Sequence, residues 1–152
     1  MKNWDETFMK IAQLFAEHST CVRLHVGAVL VKNCRIISCG YNGALPGMKH
    51  CKDYFSKGDF NKELGITHHD FSDKYEMHAE QNCIAFAVKS GIVITEDCIM
   101  YTTTAPCKNC AKLIAASGIK HVVFKDLYSK THEGINLLRE FGVEVRQLCS
   151  EV

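Results

Sequence analysis

Apolar residues near the start of the chain recur every three or four positions. The run begins at Trp4 and continues through Phe8 and Ile11 to Phe15, so these side chains would share one face of a helix. The pattern predicts an amphipathic helix over residues 4–18. The same period predicts three more helices, each with a glycine at or just beyond its end, over residues 78–89, 106–118 and 133–141.

Shorter runs rich in β-branched and apolar residues alternate with these helices. They predict five strands, over residues 26–31, 35–41, 98–103, 121–124 and 143–145. Lys32-Asn33 is a turn signal between the first two strands, which therefore form a predicted hairpin. The order α-β-β-α-β-α-β-α-β predicts an α/β fold in which helices cover both faces of a mixed five-stranded sheet.

Residues 43–76 interrupt this pattern. The segment is polar, rich in glycine, lysine, aspartate and histidine, and shows no helical or strand period. A structureless stretch of that length is unusual in a compact domain, and it is usually functional or tied down internally. We therefore expect a single domain over residues 1–152 with a long loop insertion at about 43–76.

Composition narrows the functional classes. Hydrophobic residues make up 47% of the 152 residues, charged residues 23%, and the formal net charge is +1, an ordinary balance for a soluble domain. A protein that coats nucleic acid usually carries a basic excess or stripe, so a small substrate is favoured over a long polyanion. The N-terminus lacks the apolar core of a secretory signal, and no run approaches the length of a membrane span. We expect a cytoplasmic protein.

Nine cysteines are many for a chain of this length. The number is odd and nothing indicates export, so a complete disulfide framework is not expected. In a reducing compartment, surplus cysteines serve as small apolar core residues or as metal ligands. Four cysteines lie in apolar runs and are predicted to be core or strand residues: Cys34, Cys39, Cys83 and Cys98.

Two short motifs at predicted helix starts carry the candidate chemistry. One is His78-Ala79-Glu80, and the other is Pro106-Cys107-Lys108-Asn109-Cys110, whose proline suits a first helical turn. Cys107 and Cys110 are three residues apart, so their sulfur atoms share a helix face, and the helix N-terminus favours thiolates. His78 is the third predicted ligand. Three protein ligands leave a fourth position for water, as in catalytic zinc sites.

Glu80 completes the predicted site as its catalytic residue. It is too close to His78 to chelate comfortably from the same turn, but it is well placed to reach a zinc-activated water as general base and then acid. A redox-active CxxC pair and a helix-capping His78 are the alternatives. The two motifs, separated by about 26 residues and each at a helix start, favour the metal site and match the signature of nucleobase deaminases.

With these motifs, residues 20–145 resemble the zinc cytidine and deoxycytidylate deaminase superfamily, and within it the dCMP deaminases of the bacterial and bacteriophage type. The matching stretches are residues 26–29, 35–43, 78–82, 106–112 and 117–123. The resemblance implies a three-layer α/β/α sandwich that hydrolyses dCMP to dUMP and ammonia and supplies dUMP for thymidylate synthesis. Zinc-bound hydroxide would attack C4 of the cytosine, and Glu80 would move protons to N3 and then to the leaving amine.

The resemblance also implies substrate contacts. Asn42, in the Tyr-Asn-Gly sequence, would contact the nucleotide, Ala79 would offer backbone groups to the base, and Tyr128 would lie near the substrate. As the alternatives, Asn42 would be a turn residue that ends a strand, and Tyr128 would lie at the edge of the core.

A 5′-phosphate needs cationic or N–H donors. Arg23, His25 and Lys130 are candidates by position, with solvated surface charges as the alternative. In bacterial relatives an arginine often follows the position of Tyr128, whereas this chain has Ser129 there, which leaves the phosphate contact open.

Bacteriophage members of this family carry a second, structural zinc, held by two cysteines, a histidine and a glutamate. The matching residues here are Cys21, Cys51, His68 and Glu76. Four ligands would close the site and staple the insertion at 43–76, which has little apolar content of its own. His50 and His69 are alternative ligands.

Regulation is the last property that the resemblance implies. dCTP would activate and dTTP would inhibit a hexamer, with Mg²⁺ accompanying the triphosphate. The effector would bind near Tyr41 and Gly43, while Phe86 and Lys89 match positions of subunit contacts. Two other classes stay open: a deaminase of dCTP as well as dCMP, of a cytosine nucleoside or of tRNA adenosine, and a non-catalytic zinc-binding module.

Overall fold

A computed structural model of the chain describes residues 3–127 and 132–149. The helices of these residues are α1 (Trp4–Ala16), α2 (Cys51–Phe55), α3 (His68–Tyr75), α4 (Ala79–Lys89), α5 (Lys108–Ala116) and α6 (Glu133–Glu140). Their strands are β1 (Gly27–Lys32), β2 (Arg35–Tyr41), β3 (Gly43–Ala44), β4 (Phe60–Asn61), β5 (Ile66–Thr67), β6 (Glu76–Met77), β7 (Ile99–Thr104), β8 (His121–Asp126) and β9 (Glu144–Gln147).

Five strands form the central sheet, in the order β2-β1-β7-β8-β9. β1 is antiparallel to both β2 and β7, whereas β7, β8 and β9 run parallel. The predicted mixed five-stranded sheet is therefore confirmed. The β1–β2 turn lies one residue later than predicted, at Asn33 and Cys34, which have φ of 50° and 56°, as a type I′ turn requires. The prediction that Cys34 is a core or strand residue is wrong, because this turn exposes it.

Side chains alternate between the two faces of this sheet, and both faces are covered. Val29 and Tyr101 pack with Phe8 of α1 on one face. On the other face, the core contains Leu30 and Met100 together with residues of α4, α5 and α6. This arrangement confirms the predicted three layers. None of the helices in residues 3–127 and 132–149 is both long and apolar enough to cross a membrane.

The starts of α4 and α5 lie beside each other and carry the two motifs. His78 is the N-cap of α4, and its backbone N–H donates to Oε1 of Gln81 at 2.8 Å. Cys107 is the N-cap of α5, so the expectation that Pro106 opens this helix is wrong by two residues. Because an N-cap has extended backbone while its side chain faces the free N–H groups of the first turn, both motifs direct ligand atoms toward a helix N-terminus.

The insertion at 43–76 is more ordered than its sequence suggests. It contains two short helices and short strands, of which β3 pairs with β6 and β4 with β5. Phe55 and Phe71 meet edge to face, with ring centroids 5.4 Å apart, in a small buried cluster with Cys21 and Cys51. The sequence analysis found no period in this segment, because elements of two to eight residues are too short to show one.

Candidate active site

The three predicted ligands of the first metal site converge at the starts of α4 and α5. Nδ1 of His78 lies 3.2 Å from Sγ of Cys110 and 3.5 Å from Sγ of Cys107. Bond lengths to tetrahedral zinc predict a nitrogen–sulfur separation of about 3.6 Å, so the donor set and its spacing fit a zinc ion. The backbone N–H of Cys110 also donates to Sγ of Cys107 at 3.4 Å, which stabilises a thiolate.

Mutual hydrogen bonding polarises these ligands. The Cys110 side chain, helped by His78, lowers the pKa of Cys107 to about 3. The hydrogen bond between Cys110 and Cys107, together with burial, raises the pKa of Cys110. The hydrogen bond with Cys107 raises the pKa of His78. Two cysteine sulfur atoms and an imidazole nitrogen form a donor set that suits a divalent cation of borderline softness.

Glu80 lies in the first turn of α4, behind the metal-ligand cluster. Its side chain is only 4% exposed, and burial raises the pKa of its carboxyl. Oε1 accepts a hydrogen bond from Oγ1 of Thr102 at 2.8 Å. A buried carboxyl in the wall of a cavity that metal-ligating side chains also line can serve as a general acid–base group.

A cavity of about 240 Å³ opens onto this cluster. His78, Glu80 and Cys107 line it from the motif side, and Asn42 and Ala79 line it as well. The structure therefore brings Asn42 and Ala79, which the resemblance implies as substrate contacts, to the same cavity as the metal-ligand cluster. A concave site with convergent polar groups and perturbed pKa values has the properties of a small-molecule site.

Asn42 has a structural role in addition to its place in the cavity wall. Its Oδ1 accepts from the backbone N–H of Val26 at 2.9 Å, and its Nδ2 donates to the carbonyl of Leu24 at 2.7 Å. An amide group has two N–H donors, so one donor remains for a ligand. The alternative, that Asn42 is a turn residue that ends a strand, is therefore correct in part, because its side chain holds the backbone at the end of β2.

The residues predicted as candidates for binding the phosphate lie in different parts of the structure. Arg23 lines the cavity and forms an ion pair with Asp59. The His25 ring is turned toward its own loop, where Nε2 lies 2.8 Å from the carbonyl oxygen of Cys21, and His25 is not in the cavity wall formed by the described residues. Tyr128, Ser129 and Lys130 lie outside the described residues.

The four residues of the second predicted metal site also meet. The ligand atoms of Cys21, Cys51, His68 and Glu76 all lie within 4.8 Å of one another. Nε2 of His68 lies 3.0 Å from Sγ of Cys51 and 3.8 Å from Sγ of Cys21. Burial raises the pKa of Cys51 to about 12 and lowers the pKa of His68, so His68 is held in the neutral form that binds a metal.

One oxygen of Glu76 supports a cation at this cluster. Oε1 accepts from the Ser72 hydroxyl at 2.6 Å, whereas Oε2 is buried and has no hydrogen-bond partner among the described residues. An unpartnered buried carboxylate oxygen is costly unless a metal or proton satisfies it. The four donors therefore fit a closed zinc site. The alternative ligands lie elsewhere, since Nδ1 of His50 is 3.2 Å from the Thr20 hydroxyl and His69 is exposed.

The residues predicted for regulation and assembly are not among those that line the cavity. Tyr41 is 41% exposed, and its ring lies near that of His18, with centroids 6.0 Å apart. Gly43 is buried in β3, opposite Met77 of β6. Phe86 and Lys89 are exposed on α4.

Three residues near the sites were not predicted in these roles. Thr102 bonds to Glu80, Ser72 bonds to Glu76, and His69 lines the cavity. Ser72 lies on α3, and Glu76 is the extended residue that follows this helix, so the contact is local in sequence although no helical period marked it. Thr102 has no such signal, because only the packing of α4 on the sheet brings it to Glu80.

Comparison with known proteins identifies the family. The profile of the cytidine and deoxycytidylate deaminase zinc-binding region matches residues 2–126. The chain is 39% identical to the deoxycytidylate deaminase of Enterobacteria phage T4, across 91% of this chain and 86% of that protein. It is 35% identical to the human deoxycytidylate deaminase, across 98% of this chain and 83% of that protein.

A solved structure agrees with these sequence relatives. The dCMP deaminase of cyanophage S-TIM5, crystallised with dCMP and dUMP, is 33% identical and superposes with a TM-score of 0.79, covering 97% of this chain and 99% of that one. The fold is thus that of cytidine-deaminase-like proteins. The chain belongs to the family defined by the cytidine and deoxycytidylate deaminase zinc-binding region.

Proposed function

We propose that this protein hydrolyses dCMP to dUMP and ammonia, with His78, Cys107 and Cys110 as ligands of a catalytic zinc and Glu80 as the acid–base residue. The observation that carries the proposal is the convergence of three metal-ligating atoms and a buried carboxyl on one cavity. A purely structural zinc site closes with a fourth ligand and needs no acid beside it.

Each functional group of the chain has its own role in the proposed reaction. Zinc, when bound there, lowers the pKa of a water molecule so that it can attack at neutral pH. Glu80 would accept a proton from the attacking water and deliver it to N3 of the cytosine. It would then take the remaining proton of the hydroxyl added at C4 and pass it to the departing amine, which leaves as ammonia. In this proposal, backbone groups at Ala79 and the remaining amide N–H of Asn42 orient the nucleotide, and Arg23, which also lines the cavity, binds the phosphate.

The proposal is tested by a comparison of substrates. Purified protein is offered dCMP, dCTP, deoxycytidine and CMP while ammonia release is followed. We expect the highest kcat/KM with dCMP. Comparable rates with dCTP would extend the substrate range, and ammonia from none of the four would overturn the proposal.

We further propose that Cys21, Cys51, His68 and Glu76 hold a second, structural zinc. Their mutual distances and the unpartnered Oε2 of Glu76 support it. We expect two zinc ions per wild-type chain and about one in Cys51→Ser, with a lower melting temperature. Cys39→Ser, at a half-buried cysteine of β2, is the control and should keep two. One zinc per wild-type chain would contradict the proposal.

Allosteric control by dCTP and dTTP in a hexamer is also proposed, on the resemblance to dCMP deaminases alone. The expected result is a sigmoidal dCMP saturation curve that dCTP makes hyperbolic and dTTP shifts to higher concentration. Light scattering would report the mass of the assembly. A hyperbolic curve that ignores both nucleotides would remove this proposal and leave the catalytic one intact.

A further inference from the structure

Thr102 is a buried polar residue in the middle of β7. Its side chain has no exposed surface, and its register partners on the neighbouring strands are the apolar residues Ala28 and Phe124. Strand alternation points it toward α4, where its Oγ1 lies 2.8 Å from Oε1 of Glu80. A hydroxyl in such surroundings requires a hydrogen-bond partner, and Glu80 provides it.

We propose that Thr102 is a positioning residue for the reaction, which holds the Glu80 carboxyl in the orientation from which it transfers protons. The proposal rests on the function proposed above and adds a residue to it. Glu80 extends from the first turn of a helix, whereas Thr102 belongs to the central sheet. The hydrogen bond therefore joins a side chain on α4 to the central sheet.

A second acceptor makes this hydroxyl suited to a carboxyl that gains and loses a proton. Oγ1 of Thr102 also lies 3.1 Å from the carbonyl oxygen of Thr104. When Glu80 is a carboxylate, the hydroxyl proton points to Oε1. When Glu80 has taken the proton from water, its own O–H can donate to Oγ1 while the threonine proton turns to Thr104. A hydroxyl both donates and accepts, so the contact survives in both forms.

An isosteric valine would remove the hydroxyl without changing the shape of the side chain. Oε1 would then lose its donor in a buried site, and the carboxyl would be free to leave its orientation. Because Thr102 is wholly buried, it does not touch the substrate, and the loss should affect the chemical step and not binding. We therefore expect a lower kcat with an unchanged KM.

The experiment compares Thr102→Val and Thr102→Ser with wild type. Thr103→Val is the matched control, since Thr103 is the next residue, is buried, and its Oγ1 accepts from the backbone N–H of Gly27 at 3.1 Å, away from Glu80. For each protein, kcat and KM for dCMP, zinc content and melting temperature are measured.

Loss of a hydrogen bond to a charged group predicts a fall in kcat of roughly tenfold or more in Thr102→Val, with KM within about twofold and zinc content unchanged. Thr102→Ser should recover most of the wild-type kcat, and Thr103→Val should keep it even if its melting temperature falls.

Three results would overturn the proposal. They are an unchanged kcat in Thr102→Val, an equal loss in Thr102→Ser and Thr102→Val, and a loss that follows zinc content or melting temperature. Each of them leaves the proposed function standing, because wild type still deaminates dCMP. A wild-type protein without this activity would overturn the proposed function, and this proposal with it.

Discussion

Arg23 and His25 are two residues apart, yet their side chains reach different parts of the molecule. Arg23 lines the cavity that contains the metal-ligand cluster, whereas the His25 ring lies against the Cys21 carbonyl. Sequence position made both residues candidates for the phosphate. Because Arg23 lines this cavity, we propose that its guanidinium, which can bind two phosphate oxygens at once, is the phosphate contact.

The first prediction concerns this phosphate contact. Arg23→Gln should raise KM for dCMP by about tenfold or more, because it removes a charge-assisted hydrogen bond. KM for deoxycytidine, which has no phosphate, should stay within about twofold, and His25→Gln should leave both values near wild type. Steady-state kinetics with the two substrates provide the measurement. Equal losses with dCMP and deoxycytidine would show that Arg23 supports the cavity and does not recognise phosphate.

The position of some functional residues can be predicted from local sequence, whereas that of others cannot. His78, Cys107 and Cys110 stand in short motifs at helix starts, so local spacing suffices to place them together. Thr102 and Asn42 are different, because their hydrogen bonds cross from one element to another. Such contacts depend on the register of β7 and on the path of the chain after β2, and neither is encoded in local sequence.

At the scale of the elements, the N-terminal end of α6 packs closely against the loop that carries Cys107. A Cβ atom at Gly134 would lie 1.9 Å from the carbonyl oxygen of Pro106 and 2.9 Å from the carbonyl carbon of Cys107. These are backbone atoms that cannot rotate away. Only glycine at this position allows α6 to approach the ligand loop so closely.

The second prediction follows from that contact. Gly134→Ala should push the ligand loop away from α6, weaken zinc binding at the first site and lower dCMP deamination by about tenfold or more, since misplacement by about 1 Å is costly for catalysis. Asn136→Ala, at an exposed position of the same helix, is the control. Chelator competition would measure zinc affinity. Wild-type affinity and activity in Gly134→Ala would contradict this role.

The long elements could be predicted because each has enough residues to show a period. Helices α1, α4, α5 and α6 and the strands of the central sheet lie within a few residues of their predicted bounds. The insertion could not be predicted in this way. Its helices have five and eight residues and its strands two each, and Phe55 packs against Phe71 between the two helices.

At the scale of the whole molecule, one carboxylate joins the first helix to the centre and edge of the sheet. Asp5 of α1 accepts a hydrogen bond from the Tyr101 hydroxyl at 2.6 Å and forms an ion pair with Arg146 of β9 at 2.6 Å. Burial and the neighbouring Asp5 raise the pKa of Tyr101, so its hydroxyl remains a donor. These contacts lie on the sheet face covered by α1, opposite the candidate active site.

The third prediction separates stability from activity. Tyr101→Phe should lower the free energy of unfolding by about 1.5–3 kcal/mol, the usual contribution of a hydrogen bond to a charged group. It should leave kcat and KM for dCMP unchanged, because the site is on the other face. Denaturant unfolding with zinc present provides the measurement, and Tyr41→Phe at an exposed position should change the free energy by less than about 0.5 kcal/mol. A large loss of kcat in folded Tyr101→Phe would contradict the separation.

The central claim is that Glu80 moves protons beside a zinc ion held by His78, Cys107 and Cys110. Its most direct test is ammonia release from dCMP by wild type and by Glu80→Gln, with the zinc content of both proteins measured. We predict one dUMP and one ammonia per dCMP consumed by wild type, and a fall of about a hundredfold or more in Glu80→Gln with zinc retained. Wild-type rates in zinc-loaded Glu80→Gln would contradict it.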